Sequence, residues 1–88
     1  MVSVELYSTA VCPYCVAAKN LLKQRGFDYE EFRVDRDPVR HDEMLSRTGG
    51  RRSVPQIFVN GNHVGGFEEL VAADRSGKLA EFAANNVD

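Results

Sequence analysis

Apolar and polar residues alternate along Val2-Ser3-Val4-Glu5-Leu6-Tyr7, and the β-branched content reinforces the pattern, so a strand is predicted there. The period then changes. After a short connection, Ser8 to Val11, Pro13 suits the first turn of a helix, where its missing N–H costs nothing. Val16, Ala17, Leu21 and Leu22 follow at helical spacing, Lys23 and Arg25 favour the C-terminal end, and Gly26 is a natural stop. The spacing predicts a helix over Pro13–Arg25.

A second strand is expected within Phe27–Val34, over Tyr29–Val34. Asp37 can cap the next helix, with Pro38 at its first position and Val39, Met44 and Leu45 as inward candidates. That helix should end near Thr48-Gly49-Gly50. Gln56-Ile57-Phe58-Val59, Asn60-Gly61 and Asn62-His63-Val64 carry the clearest local signal in the chain, two short strands around a type I′ turn. Gly65-Gly66 breaks the pattern, Phe67–Arg75 reads as a helix carrying Leu70 and Val71, and Lys78–Ala84 as a last helical stretch. The order strand–helix–strand–helix–hairpin–helix opens with a βαβ unit, which implies two parallel strands joined by a right-handed crossover. Adding the antiparallel hairpin gives an α/β fold, a four-stranded mixed sheet with helices on both faces.

Eighty-eight residues make one small domain, 1–88, with no repeat, low-complexity tract or linker. A chain this short buries only roughly 60–65% of the surface its unfolded form exposes. Disulfides often compensate for so thin a core, yet the two cysteines stand three positions apart, and a bridge over so short a loop restrains the unfolded chain little. Net charge is −2 with the signs interspersed, and the one basic cluster is Arg51-Arg52, which argues against nucleic acid or an anionic membrane as partner. Met1 to Glu5 does not read as a signal peptide, and no apolar run approaches the roughly 20 residues that span a bilayer. A cytoplasmic protein is expected, where Cys-x-x-Cys is redox or metal chemistry more often than a staple. A zinc or iron–sulfur site normally takes four ligands. There is no third cysteine, and His41 and His63 are isolated from each other and from the pair. Redox chemistry is therefore favoured over a metal site within one chain, although a cluster shared between two chains escapes the objection.

The thiolate is the nucleophile, and a cysteine with a pKa of about 8.5 is only about 3% ionised at pH 7. At the N-cap of the predicted Pro13–Arg25 helix, Cys12 faces unpaired N–H groups and the positive end of the macrodipole, both of which favour negative sulfur. Cys15 lies one turn further in, more buried, able to hydrogen-bond the Cys12 thiolate or to attack a mixed disulfide held on it. Lowering the pKa to about 5 raises the ionised fraction roughly 30-fold, but intrinsic nucleophilicity falls by a similar factor. Attack gains almost nothing; departure of Cys12 from a mixed disulfide gains, because a more acidic thiol leaves faster.

At Cys12-Pro13-Tyr14-Cys15, Ser53-Val54-Pro55 and Gly65-Gly66-Phe67-Glu68-Glu69-Leu70 the sequence resembles dithiol glutaredoxins of the bacterial type, from Val2 to about Leu79. The resemblance implies the thioredoxin-like form of the fold and glutathione as co-substrate. It also implies a cis Pro55 facing Cys12, with the Val54 backbone free to pair with the cysteinyl part of glutathione and Tyr14 packed beside it. Gly65 and Gly66 would let backbone approach the ligand, and Phe67 and Glu68 would offer N–H groups to its γ-glutamyl carboxylate. Glu68 and Glu69 would hold its ammonium, and Arg51 and Arg52 would meet its glycyl carboxylate. Four departures stand out. Thr9 replaces the usual lysine three residues before the first cysteine, Ser53 replaces Thr before Val-Pro, Glu-Glu stands where Asp is commoner, and the loop Thr48 to Ser53 is a residue long.

The function so implied is glutathione-dependent reduction of protein disulfides and protein–glutathione mixed disulfides, by a monomer without a metal, on client proteins such as ribonucleotide reductase. Two other readings remain open. One is a redoxin reduced by thioredoxin reductase, though the Trp-Ser-Gly-Phe-Arg-Pro stretch typical of those redoxins is absent and the chain has no tryptophan. The other is an iron–sulfur carrier, in which two Cys12 thiolates and two glutathiones bridge a dimer.

Overall fold

The computed structural model describes residues 2–84. In chain order these form β1 (Val4–Ser8), α1 (Pro13–Gln24), β2 (Glu30–Arg33), α2 (Pro38–Thr48), β3 (Gln56–Val59), β4 (Asn62–Gly65), α3 (Phe67–Ser76) and α4 (Lys78–Ala84). The strands make one mixed sheet in the order β2-β1-β3-β4. β1 and β2 run parallel on either side of α1, whereas β1–β3 and β3–β4 are antiparallel. This is the four-stranded mixed sheet expected from the order of elements, in the thioredoxin-like form that the family resemblance implies. The first strand starts two residues later than the alternation suggests and runs on to Ser8, whose partner is Arg33.

Strand alternation sorts the core into two layers. Val4, Leu6, Ile57 and Val59 point to one side and pack with Ala18 and Leu22 of α1, Leu70 and Ala73 of α3, and Leu79 of α4. Tyr7 and Phe58 point to the other side and pack with Val34 and with Met44 of α2. Leu6, Leu22, Ile57 and Leu70 are wholly buried, each contributing roughly 1.5–3 kcal/mol by leaving water.

The α2 layer corrects one expectation. Val39 does not face the sheet; it is 73% exposed. At about 100° per residue it lies roughly 140° around the helix from Met44. The rows above and below Met44 are instead arginines. Arg40 sits 4.0 Å over the Phe32 ring and Arg47 sits 3.8 Å over Phe58, so guanidinium planes cover aromatic faces where aliphatic side chains were expected. Arg47 also forks onto Glu5 at 3.0 and 3.1 Å and donates to the Tyr7 hydroxyl, which donates in turn to Glu43. In α1 the inward row is Cys15, Ala18 and Leu22, with Val16 turned outward. The hairpin matches its sequence, with φ of 50° at Asn60 and 82° at Gly61, the pair of positive values that a type I′ turn requires.

Candidate active site

Cys12 is the N-cap residue of α1, with extended backbone (φ −148°, ψ 95°) and Pro13 behind it in the first turn. Its Sγ accepts a hydrogen bond from the Cys15 N–H at 3.1 Å, in the way a serine or aspartate oxygen serves as a helix cap. There is no acidic residue in the first turn of α1 to oppose negative charge on that sulfur. The two cysteines are joined as a disulfide with Cα atoms 5.1 Å apart. Cys15 is buried at 1% exposure while Cys12 is half-buried, so an incoming group reaches Cys12 first.

A cleft of about 210 Å³ lies beside the pair, lined by Tyr14, Ser53, Val54, Pro55, Gly66, Phe67, Glu68 and Glu69. Three separate segments build it. Tyr14 comes from the first turn of α1, exposed at 62%, its ring stacked on Phe67 with centroids 6.0 Å apart. The loop before β3 supplies Ser53, Val54 and Pro55. The Val54–Pro55 peptide is cis, and the Val54 carbonyl oxygen lies 3.8 Å from Cys12 Sγ. The third wall is the start of α3.

That third wall is held by Glu69. One carboxylate oxygen accepts the Gly66 N–H at 2.6 Å, the one half of a capping box open to a glycine N-cap, and the carboxylate meets the Arg51 guanidinium in a fork at 3.0 and 3.2 Å. Arg51, and next the Gly66 N–H, hold the Glu69 carboxyl below its usual range, so it is ionised at neutral pH. Arg51 and Glu69, both candidates from the sequence, thus meet each other. Glu68 is exposed on the cleft, and Arg52 is exposed outside its lining. Gly65, outside the cleft lining, backs onto Glu69: with φ at +117°, a Cβ there would lie 2.7 Å from Glu69 Cδ.

Sequence reasoning missed several supporting residues. Gln56 donates to the Ser53 carbonyl and hydroxyl and meets His63. Asp35 accepts the Ala10 N–H in the loop that runs into Cys12. A signal for Gln56 was present, since a lone amide in an apolar, buried strand must have partners. Asp35 carries none beyond its charge. Among the described residues no group of three or more His, Cys, Asp or Glu is arranged to hold a metal, and no helix is long and apolar enough to cross a membrane.

Comparison with known proteins decides what kind of site this is. The glutaredoxin family model matches residues 4–64. The chain belongs to the glutaredoxin family. It is 46% identical over 79 residues to a glutaredoxin of Pseudomonas aeruginosa, covering 90% of this chain and 93% of that one. To glutaredoxin 3 of Escherichia coli it is 42% identical over 79 residues, covering 90% and 94%. A crystal structure of a buckwheat glutaredoxin–glutathione complex superposes with a TM-score of 0.82 at 29% identity, covering 94% of this chain and 77% of that one. Glutaredoxins are thiol–disulfide oxidoreductases that use glutathione as co-substrate, and the Cys12–Cys15 pair fits the family's dithiol Cys-x-x-Cys motif.

Proposed function

We propose that this glutaredoxin reduces protein–glutathione mixed disulfides and protein disulfides with glutathione as its reductant, through Cys12 as nucleophile and Cys15 as resolving thiol. The observation that carries the reading is the difference between the two sulfurs: Cys12 caps a helix and is reachable, whereas Cys15 is one turn inside and buried. In the reduced protein the Cys12 thiolate attacks the glutathionyl sulfur of a client mixed disulfide. The Cys12–glutathione bond forms, the client bond breaks, and the client leaves as thiolate and takes up a proton. A second glutathione thiolate attacks the same glutathionyl sulfur, forming glutathione disulfide and releasing Cys12. On a protein disulfide, Cys12 forms a mixed disulfide with the client, Cys15 attacks Cys12, and the client leaves with both sulfurs reduced. Two glutathiones then reduce the Cys12–Cys15 bond. Departure of Cys12 recurs in each route, and a helix-capped sulfur is a good leaving group.

The cleft suits a tripeptide thiol with charged ends. Val54 offers backbone to the cysteinyl unit, Tyr14 and Phe67 give an aromatic flank, and the N–H groups of Phe67 and Glu68 suit the γ-glutamyl carboxylate. Glu68 is the carboxylate nearest to hand for the ammonium. Ser53, Pro55 and Gly66 shape the walls, and Arg52 is a cation for the glycyl carboxylate. Arg51 and Glu69 can join only by giving up part of their mutual fork. With side chains 39% and 48% exposed, that pair is worth little more than about 1 kcal/mol, so a ligand with both charges can exchange into it. Disulfide-bearing or glutathionylated clients, ribonucleotide reductase among them, and a reducing compartment such as the cytoplasm fit this chemistry.

The test is glutathione-coupled turnover of an S-glutathionylated peptide, run beside thioredoxin-reductase-coupled turnover of the same protein. Turnover with glutathione and little with thioredoxin reductase is expected; the reverse result sinks the glutathione assignment.

A further inference from the structure

Gln56 is the polar member of a strand otherwise made of Ile57, Phe58 and Val59, and it is wholly buried. Its amide is fully used. Nε2 donates to the Ser53 carbonyl at 3.0 Å and to the Ser53 hydroxyl at 3.2 Å, and Oε1 lies 2.7 Å from His63 Nε2. With the amide hydrogens committed to Ser53, Oε1 is the acceptor and His63 must supply the proton from Nε2. The imidazole stands opposite Phe58 in the β3–β4 pairing and stacks on it, 4.8 Å between centroids and 22° between planes. His63 is an exposed residue, yet partial desolvation of its ring first, then Arg51 and Arg47, lower its pKa and favour the neutral form, while Glu69 pulls the other way.

We propose that His63 is a positioning residue for the substrate cleft: through Gln56 it fixes the Ser53 carbonyl and hydroxyl, and so sets the Val54 backbone against Cys12. The inference rests on the glutathione reading above for its kinetic consequence, but not for its geometry. The chain of contacts runs from the edge strand β4 across β3 to the loop whose Val54 carbonyl lies 3.8 Å from Cys12 Sγ. Ser53 itself is exposed, so without Gln56 its backbone would exchange this bond for water and take up other conformations. Without the His63 donor, the buried Gln56 oxygen loses its protein partner and the amide gains by turning away from Ser53.

Two substitutions separate donor from ring. His63→Phe keeps a flat ring on Phe58 and removes the N–H; His63→Gln removes the ring and returns an amide N–H at similar reach. In the ligand-free oxidised protein, the Ser53 carbonyl carbon and Val54 amide resonances should move in His63→Phe and return toward their original positions in His63→Gln. In glutathione-coupled turnover of an S-glutathionylated peptide, His63→Phe should raise KM roughly five- to tenfold with kcat within about twofold, and His63→Gln should stay within about twofold on both. Unmoved resonances in the Phe variant, or a Gln variant as impaired as the Phe variant, overturn the positioning role. If the Phe variant does not fold, Gln56→Met stands in; the same shifts are expected, and their absence overturns the inference. A protein without glutathione turnover would overturn the functional reading instead, and the resonances alone would then decide the role of His63.

Discussion

The backbone N–H of Cys15 is directed at Cys12 Sγ from 3.1 Å, so the residue proposed to resolve the reaction also caps the sulfur proposed to begin it. One amide thereby ties local helix geometry to thiol chemistry. In the reduced protein a thiolate at that position accepts a charge-assisted bond and sits at the positive end of α1, whereas the Cys15 sulfur is buried and loses solvation on ionising. The pH dependence of alkylation by iodoacetamide should therefore show Cys12 ionising below the ordinary thiol range and well before Cys15. Coincident midpoints for the two sulfurs would remove the basis for their separate roles.

That asymmetry sets what each substitution does. Cys12→Ser should abolish turnover of every disulfide substrate, because the one other thiol of the chain, Cys15, is buried. Cys15→Ser retains the backbone N–H that caps Cys12, so deglutathionylation should persist within about an order of magnitude, while reduction of protein disulfides is lost. Equal loss of both activities in both variants would falsify this division of labour.

Gly65 predicts a stability effect at the third wall. Its φ of +117° lies outside what side chains adopt easily, and an added Cβ would stand 2.7 Å from Cδ and 2.8 Å from Oε1 of Glu69. Glu69 cannot yield freely, since Gly66 and Arg51 both hold it. Gly65→Ala should cost about 1–3 kcal/mol in urea unfolding. Gly66→Ala, where the nearest atom is 3.2 Å away and φ is −87°, should cost under about 1 kcal/mol. Equal costs would mean that strain at Gly65 is not what shapes the start of α3.

The elements that the sequence revealed are those fixed by nearest neighbours. Asn60-Gly61 announces its turn because both residues tolerate positive φ, and Cys12-Pro13 announces a helix start because proline needs no donor there. Segment order then specifies the sheet. What stayed hidden depends on partners far along the chain. Nothing beside Arg40 and Arg47 in the chain marks them for the faces of Phe32 and Phe58. The Arg51–Glu69 fork spans 18 residues and the Tyr7–Arg47 bond spans 40, and no periodicity encodes either. The sequence could name the charged residues of the cleft, but not which of them satisfy one another before a ligand comes.

Asp35 carries a prediction in pH. Its carboxylate is gripped by Arg33 through two bonds of 2.8 Å and accepts the Ala10 N–H at 3.2 Å, two residues ahead of Cys12. Arg33, foremost, lowers its pKa from 3.8 to about 2. At pH 3 the folded protein therefore keeps this group ionised while an unfolded chain has largely protonated it. The unfolded state binds more protons, so stability rises with pH across that window. The contribution is complete above the ordinary carboxylate value and is lost as pH falls toward about 2. The carboxyl carbon of Asp35 should titrate with a midpoint of about 2, and Arg33→Met should carry that midpoint up toward 3.8. Asp35→Asn keeps an acceptor for Ala10 but cannot titrate, so the Ala10 amide resonance should lose its low-pH inflection while Cys12 alkylation at neutral pH is unchanged. An Ala10 amide that titrates identically in the Asn variant would show that some other group controls the loop leading into Cys12.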